Sequence, residues 1–269
     1  MASTVVTGTL VRMQVTLVQL AADLDPAANR ELVVDSLRTV DGQDLVVLPE
    51  AMMHDFGPPE HDLAAAAEPL DGPFVNLLSQ QARRLGSTIV AGMFERTDDL
   101  PYNTLVVLGP DGELVTTYRK IHLYDSFGYR ESERLRAADI APVVIPVGDL
   151  SLGLMTCYDL RFPELSRALV DAGAEAFVVP AAWVAGEHKV EHWRTLLRAR
   201  AIENTVWVAA AGQGGSRYSG HSLVADPWGT IVVEAAGGNE QVTAQMTVDA
   251  VRRSREVNPS LANRRMQTP

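Results

Sequence analysis

The stretch that decides the fold class is DPAANRELVVDSLRTVDGQDLVVLPE, residues 25–50. Asp25-Pro26 is a helix-start signal, and Asp41-Gly42 is a stop signal. Between them, four apolar residues recur at near-helical spacing: Leu32, Val33, Leu37 and Val40. The apolar run LVVL, residues 45–48, then reads as a buried strand that ends in Pro49-Glu50. A helix followed by an apolar strand is the repeating unit of an α/β protein.

The same order is repeated downstream and is then interrupted by hairpins. Residues 74–85 carry a helical apolar stripe that Gly86 ends, and residues 88–94 are apolar and strand-like, as are residues 14–20. Residues 103–108 and 113–118 flank Pro110-Asp111-Gly112, a strong hairpin turn, and residues 143–147 and 151–156 form a second hairpin. We therefore expect mixed sheets in which antiparallel strands extend a parallel centre.

The second half of the chain continues the alternation of helix and strand. Helices are predicted at residues 162–172 and 189–204, and strands at residues 176–179, 205–211, 221–225 and 230–234. No low-complexity linker divides the chain, so we predict one α/β domain over residues 13–269 with helices outside its sheets. Residues 1–12 read as an extension, and the basic tail from about residue 250 as a segment that docks on the body or on another subunit.

Composition and charge exclude several classes of partner. The 269 residues carry a formal net charge of −11, which would repel a phosphate backbone or an anionic membrane surface. No stretch of about 18 apolar residues occurs, and the first residues lack the pattern of a secretory leader. We therefore expect a cytoplasmic protein without nucleic-acid or membrane partners. The single cysteine, Cys157, cannot form an intramolecular disulfide.

Three polar residues end or follow apolar strands, namely Glu50, Lys120 and Cys157. Strand ends in α/β proteins converge on one crevice, so these distant residues can meet. A thiol needs a base, a carboxylate can take its proton, and an ammonium can stabilise first the thiolate and then an oxyanion. The alternative is structural: a small buried cysteine, a capping glutamate and a surface lysine.

Five motifs extend this pattern along the chain. They are LPEAMMHDFG, YRKIHLYD, GLMTCYDLRFPEL, HWRTLLRARAIEN and GHSLVADPWGTIV. Over residues 15–249 the sequence resembles the nitrilase superfamily of carbon–nitrogen hydrolases. Its CYDxRFPEL and GHSxVxDPWG motifs are similar to those of the omega-amidases and the amidases that act on deaminated glutathione.

The resemblance implies a role for each matched residue. Glu50 would be the general base, Lys120 the oxyanion-stabilising cation, Cys157 the nucleophile, Glu131 the second active-site glutamate and the backbone N–H of Tyr158 a second oxyanion donor. Glu133 is the alternative to Glu131. The implied fold is an α-β-β-α four-layer sandwich that assembles into homodimers or larger homo-oligomers, and the implied chemistry needs neither metal nor organic cofactor.

Candidate substrate-binding residues lie beside these motifs. After Glu50 the chain departs from the amidase pattern, and Phe56 in this stretch is a candidate for the pocket wall. Trp183 reads equally well as pocket wall or as core. Asp159, Arg161 and Glu164 are expected to form a structural ion-pair network, unless Arg161 binds a substrate carboxylate instead.

A competing motif opens the predicted helix at residues 189–204. His188, Glu191 and His192 match H-x-x-E-H, which on a helix places two histidines on one face for zinc. The site would need a third ligand, for which Glu203 and Glu234 are candidates. The structural alternative is a charged helix start with His192 packed under Trp193.

The leading hypothesis is a thiol amidase that hydrolyses the terminal amide of a small carboxylate-bearing molecule through an acyl-enzyme and releases ammonia. The same residues also fit a nitrile or an N-carbamoyl amino acid as substrate. The other classes are a zinc hydrolase built on His188 and His192, and a non-catalytic paralogue that serves as an oligomeric binding partner. The intact Glu50, Lys120 and Cys157 argue against the paralogue.

Overall fold

The computed structural model describes residues 12–126 and 128–266. The predicted extension therefore lies outside the described residues except for Arg12. The strands, in chain order, are β1 (Met13–Gln19), β2 (Leu45–Val47), β3 (Thr88–Glu95), β4 (Tyr102–Leu108), β5 (Leu114–Arg119), β6 (Asp125–Ser126), β7 (Tyr129–Arg130), β8 (Val144–Val147), β9 (Leu150–Leu154), β10 (Ala176–Ala181), β11 (Trp207–Gly212), β12 (Leu223–Ala225), β13 (Ile231–Glu234) and β14 (Glu240–Met246).

The described helices are α1 (Pro26–Leu37), α2 (Leu63–Ala66), α3 (Pro73–Leu85), α4 (Pro163–Asp171), α5 (Lys189–Asn204) and α6 (Val248–Val257). Two short 3₁₀ helices cover Glu131–Glu133 and Cys157–Arg161. The predicted helix boundaries follow local signals. Asp25 caps α1 through its side chain, and Gly86 ends α3 in the left-handed conformation. Among the described residues, no helix has the length and apolar character needed to cross a membrane.

The strands form two six-stranded mixed sheets and one small two-stranded sheet, β6-β7. The first large sheet has the order β14-β1-β2-β3-β4-β5, with β1, β2 and β3 parallel. The second has the order β13-β12-β11-β10-β9-β8, with β9, β10 and β11 parallel. Antiparallel strands flank the parallel centre on both sides in each sheet. The hairpin signals predicted β4-β5, β8-β9 and β12-β13 but not the pairing of β1 with β14.

Alternation along β2 shows how the layers are built. Leu45 and Val47 belong to the core cluster that also holds the strands of the second sheet, whereas Val46 packs with residues of α1 and α3. On the far side, α4 and α5 pack on β9, β11 and β12. Helices thus cover the outer face of each sheet, and this arrangement confirms the predicted four-layer α-β-β-α sandwich.

Two elements near the C-terminus are absent from the sequence predictions. Strand β14 pairs antiparallel with β1 along its whole length. Helix α6 follows directly, with Thr247 accepting a hydrogen bond from the backbone of Ala250. Beyond it, Arg264 forms an ion pair of 2.6 Å with Asp171 at the end of α4. The basic tail of this chain therefore contacts its own body.

Candidate active site

Glu50 lies in a turn that continues the pairing of β2 with β3. Gly92 on β3 donates to the carbonyl of Pro49 at 3.0 Å and accepts from the backbone of Met52 at 2.9 Å. A Cβ at position 92 would lie 2.5 Å from Cα of Glu50, so only glycine allows this approach. Ala51 has a φ of +54°, a left-handed conformation that turns the chain away. The Glu50 side chain is buried as a result.

Lys120 follows the end of β5 and is 2% exposed. Its backbone N–H donates to the carbonyl of Asn103 on β4, which extends the pairing of the two strands past the end of β5. The Nζ atom lies 2.9 Å from Oε1 of Glu50 and 2.9 Å from Oε2 of Glu131. One ammonium is therefore held between two buried carboxylates.

Glu131 opens the first 3₁₀ helix and is buried. Its Oε2 atom accepts a hydrogen bond from the backbone of Tyr124 at 2.6 Å. Glu133, by contrast, is exposed and pairs with Arg130 at 3.4 Å. Of the two alternatives left by the sequence, the structure brings Glu131 to Lys120.

Cys157 stands where the chain leaves the second sheet after β9. Its φ is +46°, an uncommon conformation for a residue with a side chain, and it opens the 3₁₀ helix Cys157–Arg161. The backbone N–H of Thr156 donates to the Asp159 carboxylate at 2.9 Å, and the N–H of Asp159 donates to the carbonyl of Thr156 at 2.9 Å, so both bonds close that turn. The thiol of Cys157 and the carboxylate of Glu50 line the same cavity, and the two groups interact electrostatically.

The predicted ion-pair network of Asp159, Arg161 and Glu164 is wrong. Asp159 is fully buried and accepts from Tyr118 Oη at 2.6 Å and from His122 Nδ1 at 2.7 Å. Among the salt bridges of residues 12–126 and 128–266, none joins Arg161 or Glu164 to any partner, and Glu164 is exposed. Tyr118 was not predicted as the partner of Asp159 because it lies on β5, 41 residues away in the sequence.

Burial and charge act in opposite directions on the ionisable groups of the site. Burial alone would lower the pKa of the Lys120 ammonium, but Glu131 and Glu50 outweigh it and raise that pKa well above its usual value. Burial raises the pKa of Glu131 against the effect of Lys120. Burial, reinforced by Glu50, raises the pKa of the Cys157 thiol well above its usual value. The resting cysteine is therefore a thiol with a carboxylate beside it rather than a stored thiolate.

These residues line a cavity of about 240 Å³. We call Glu50, Lys120, Glu131 and Cys157 its floor, and Phe56, Tyr124, Arg161, Trp183 and Lys189 its mouth. The three residues predicted to bind substrate, Phe56, Arg161 and Trp183, all line the cavity, and so does Tyr158. Trp183 is only 4% exposed and also belongs to the core, so both interpretations of this residue hold.

Three groups in the site were missed by the sequence analysis. Asn103 Nδ2 donates to Oε1 of Glu50 at 2.7 Å, and the backbone N–H of Ala182 donates to Oε2 of the same carboxylate at 2.6 Å. Gln213 Nε2 donates to the carbonyl of Glu50 at 2.9 Å. An asparagine in the interior of the apolar strand β4 is a signal that could have been found, whereas a backbone N–H carries none.

The competing H-x-x-E-H residues lie elsewhere. His188, Glu191 and His192 are exposed, so His192 does not pack under Trp193 as the structural alternative expected. Glu203 pairs with Arg200, and Glu234 pairs with Arg194 and His221. Within the described part of the chain, no group of three His, Cys, Asp or Glu side chains is arranged to hold a metal ion.

Comparison with known families gives one match that covers nearly the whole chain. The family model described as carbon–nitrogen hydrolase matches residues 14–256. The deaminated glutathione amidase of Escherichia coli O157:H7 is 39% identical over 229 residues, which cover 84% of this chain and 86% of that protein.

Two solved structures share the fold over most of their length. One is a carbon–nitrogen hydrolase superfamily protein from Xanthomonas campestris with an arsenic adduct in its active site. It is 31% identical, has a TM-score of 0.87 and covers 96% of this chain and 99% of its own. The other is a mutant of the amidase from Nesterenkonia sp. AN1, with covalent addition of the acetamide moiety of fluoroacetamide at the active-site cysteine. It is 26% identical, has a TM-score of 0.80 and covers 96% of this chain and 97% of its own.

Proposed function

This chain belongs to the carbon–nitrogen hydrolase family, and from that premise we propose that it is a thiol-dependent amidase that cleaves the terminal amide of a small carboxylate-bearing molecule. The observation that carries the proposal is the floor of the cavity. There, one ammonium lies between two buried carboxylates, and one of these carboxylates adjoins the only thiol of the chain.

In the first step the sulfur of Cys157 attacks the amide carbonyl while Glu50 takes the thiol proton. Because the pKa of the resting thiol is raised, this proton has to leave as the C–S bond forms, and a base in contact is what the step requires. The electron pair of the carbonyl moves to its oxygen, and Lys120 and the N–H of Tyr158 stabilise the oxyanion.

In the second step the C–N bond breaks and Glu50 returns its proton to the leaving nitrogen, so that ammonia departs and a thioester remains. A water molecule then gives a proton to Glu50 and attacks the thioester carbonyl. The C–S bond breaks, Glu50 returns that proton to the sulfur, and the carboxylic acid is released. Glu131 orients Lys120 throughout, and Arg161 receives the carboxylate of the substrate. The adduct at the cysteine of the Nesterenkonia amidase supports a covalent route.

The test combines a substrate panel with two inhibitors. Ammonia release is measured for short ω-amides, N-carbamoyl amino acids and nitriles, and the acyl-enzyme is sought by mass spectrometry after rapid acid quenching. Iodoacetamide should add one label per chain and abolish activity, with substrate protecting. Dialysis against a chelator should leave activity intact. Activity that survives alkylation and is lost with the chelator would instead support a metal-bound nucleophile.

We also propose that the protein works as a cytoplasmic homodimer or larger homo-oligomer. Ile202 on α5, Trp228 in the turn before β13 and Val232 on β13 are each at least 44% exposed, and we take these apolar side chains as candidates for the surface between subunits. Sedimentation equilibrium of the full chain measures the mass. A monomer at micromolar concentration would contradict the proposal.

A further inference from the structure

Among the residues that the structure describes, four cationic side chains line the cavity, and they differ in their partners. Lys120 is paired with Glu50 and Glu131, as described above. Arg217 forms a salt bridge with Asp55. Arg161 takes part in none of the salt bridges formed by residues 12–126 and 128–266. Its guanidinium instead lies over the ring of Trp183, at 4.9 Å from the centroid. A guanidinium that stacks on an aromatic ring keeps its N–H donors, which lie in the plane of the guanidinium, available to other partners.

Lys189 approaches the same ring from a different element. It is the first residue of α5, and its Nζ atom lies 5.8 Å from the centroid of Trp183 and 3.4 Å from Oη of Tyr124. Trp183 Nε1 donates to the carbonyl of Lys189 at 2.9 Å, which fixes the start of the helix beside the ring. The 3₁₀ helix after Cys157 and the N-terminus of α5 thus bring two cations to one indole.

Two neighbouring cations repel each other, and an anion that contacts both removes the repulsion. Burial lowers the pKa of Lys189, and the nearby charge of Arg161 lowers it further. The N-terminus of the 16-residue helix α5 adds partial positive charge at the same point. An incoming carboxylate would remove this repulsion and gain charge-assisted hydrogen bonds from both side chains.

We infer that Lys189 and Arg161 together bind one carboxylate of the substrate, and that Lys189 determines the preference of the enzyme for anionic over neutral amides. The inference rests on the proposed amidase function and deepens it, because it names a second residue and a ligand class for the mouth of the cavity. The carboxylate belongs to the acyl portion, since the nitrogen leaves as ammonia.

The test compares two amides of similar size that differ in charge, succinamic acid and butyramide. The wild-type chain should favour succinamic acid in kcat/KM. Lys189→Met, which keeps the apolar stem, should reduce the ratio of the two kcat/KM values by roughly tenfold to a hundredfold, the range typical of one hydrogen bond to a charged group. Lys189→Glu should reduce it further, because the new carboxylate can pair with Arg161. Arg38→Met removes an exposed cation from outside the cavity and is the matched control for net charge.

The outcomes separate this inference from the proposed function. An equal loss of activity on both amides in Lys189→Met, or a wild-type preference for butyramide, would overturn the carboxylate subsite and leave the amidase proposal standing. If neither amide is hydrolysed, the amidase proposal is in question, and the subsite is tested by calorimetric titration of Cys157→Ala with succinate. Binding that Lys189→Met weakens at least about tenfold supports the subsite, and no binding overturns it.

Discussion

The floor and the mouth of the cavity differ in how their charges are compensated. On the floor, each carboxylate oxygen of Glu50 and Glu131 accepts at least one hydrogen bond from Lys120, Asn103 or a backbone N–H. At the mouth, Arg161 and Lys189 lie against aromatic rings. The floor is thus preorganised for chemistry before substrate arrives, whereas the mouth presents two cations, Arg161 and Lys189, to a molecule that enters the cavity. Substitutions on the floor should therefore reduce turnover for every substrate, and substitutions at the mouth should change selectivity.

The largest effect on turnover is expected from removal of the nucleophile on the floor of the cavity, Cys157. Cys157→Ala should lower kcat by at least roughly a thousandfold, and Cys157→Ser nearly as much, because a hydroxyl is far harder to deprotonate than a thiol. Thermal unfolding should show that both variants fold. Retention of more than about a tenth of the activity in Cys157→Ala would be incompatible with a covalent thiol mechanism.

Removal of the central cation should have the next largest effect. Lys120→Gln should lower kcat by roughly a hundredfold, the usual result of deleting one oxyanion donor. Lys120→Arg should also fail, because a planar guanidinium cannot replace a compact ammonium between two carboxylates. Since Lys120→Gln leaves two buried carboxylates together, the double variant Lys120→Gln/Glu131→Gln serves as the stability control. A folded Lys120→Gln enzyme with near wild-type kcat would contradict the role.

A backbone substitution tests whether the floor depends on position as well as on composition. Gly92→Ala adds a methyl group 2.5 Å from Cα of Glu50 and should displace that residue, so that kcat falls roughly tenfold to a hundredfold with all side chains of the floor present. Gly237→Ala is the matched control, because a Cβ there meets no atom within 4 Å. Equal activities of the two variants would show that the close approach of Gly92 to Glu50 is unimportant.

The mouth should respond to pH in a way that the floor does not. Because burial and Arg161 lower the pKa of Lys189, its ammonium is lost at a lower pH than that of an ordinary lysine. The preference for succinamic acid over butyramide should then decline by about tenfold toward alkaline pH. Lys189→Arg should keep the preference to higher pH, since a guanidinium stays protonated. A ratio that is independent of pH in the wild type would exclude Lys189 as its source.

The smallest effect is expected outside both regions. His188→Ala should change kcat/KM by no more than about twofold, because His188 is exposed and lies outside the cavity. Added zinc should leave this result unaltered. A large loss that zinc restores would indicate that the H-x-x-E-H segment has a function.

The success of each secondary-structure prediction depends on whether its signal lies in neighbouring residues or in a strand that is distant in the sequence. The helix over residues 74–85 and its stop at Gly86 were predicted because apolar period and C-cap chemistry are local. Strand β14 was missed because its edge position needs only a weak alternation of buried and exposed residues, and β1, its partner, lies at the opposite end of the chain. Tertiary pairing supplies what the local pattern lacks.

The residues of the candidate site also divide into those that have a signal in the local sequence and those that have none. Glu50, Lys120 and Cys157 are chemically conspicuous at strand ends, and the sequence predicted that they would meet. The partner of Asp159 was predicted wrongly, because a charged motif suggested arginine where the fold supplies the phenol of Tyr118. The N–H of Ala182 could not be predicted at all, since every residue except proline has one.

That N–H has a consequence for how the active protein forms. The hydrogen bond from Ala182 to Glu50 joins residues 132 positions apart, of which Glu50 follows β2 of the first sheet and Ala182 follows β10 of the second. Contacts of such sequence separation are made late, after the entropy of closing a long loop has been overcome. During refolding, activity should therefore return only with the slowest phase that docks the sheets, well after helical structure has recovered. A fragment that ends before β10 would contain Glu50, Lys120 and Cys157 and still lack a working centre.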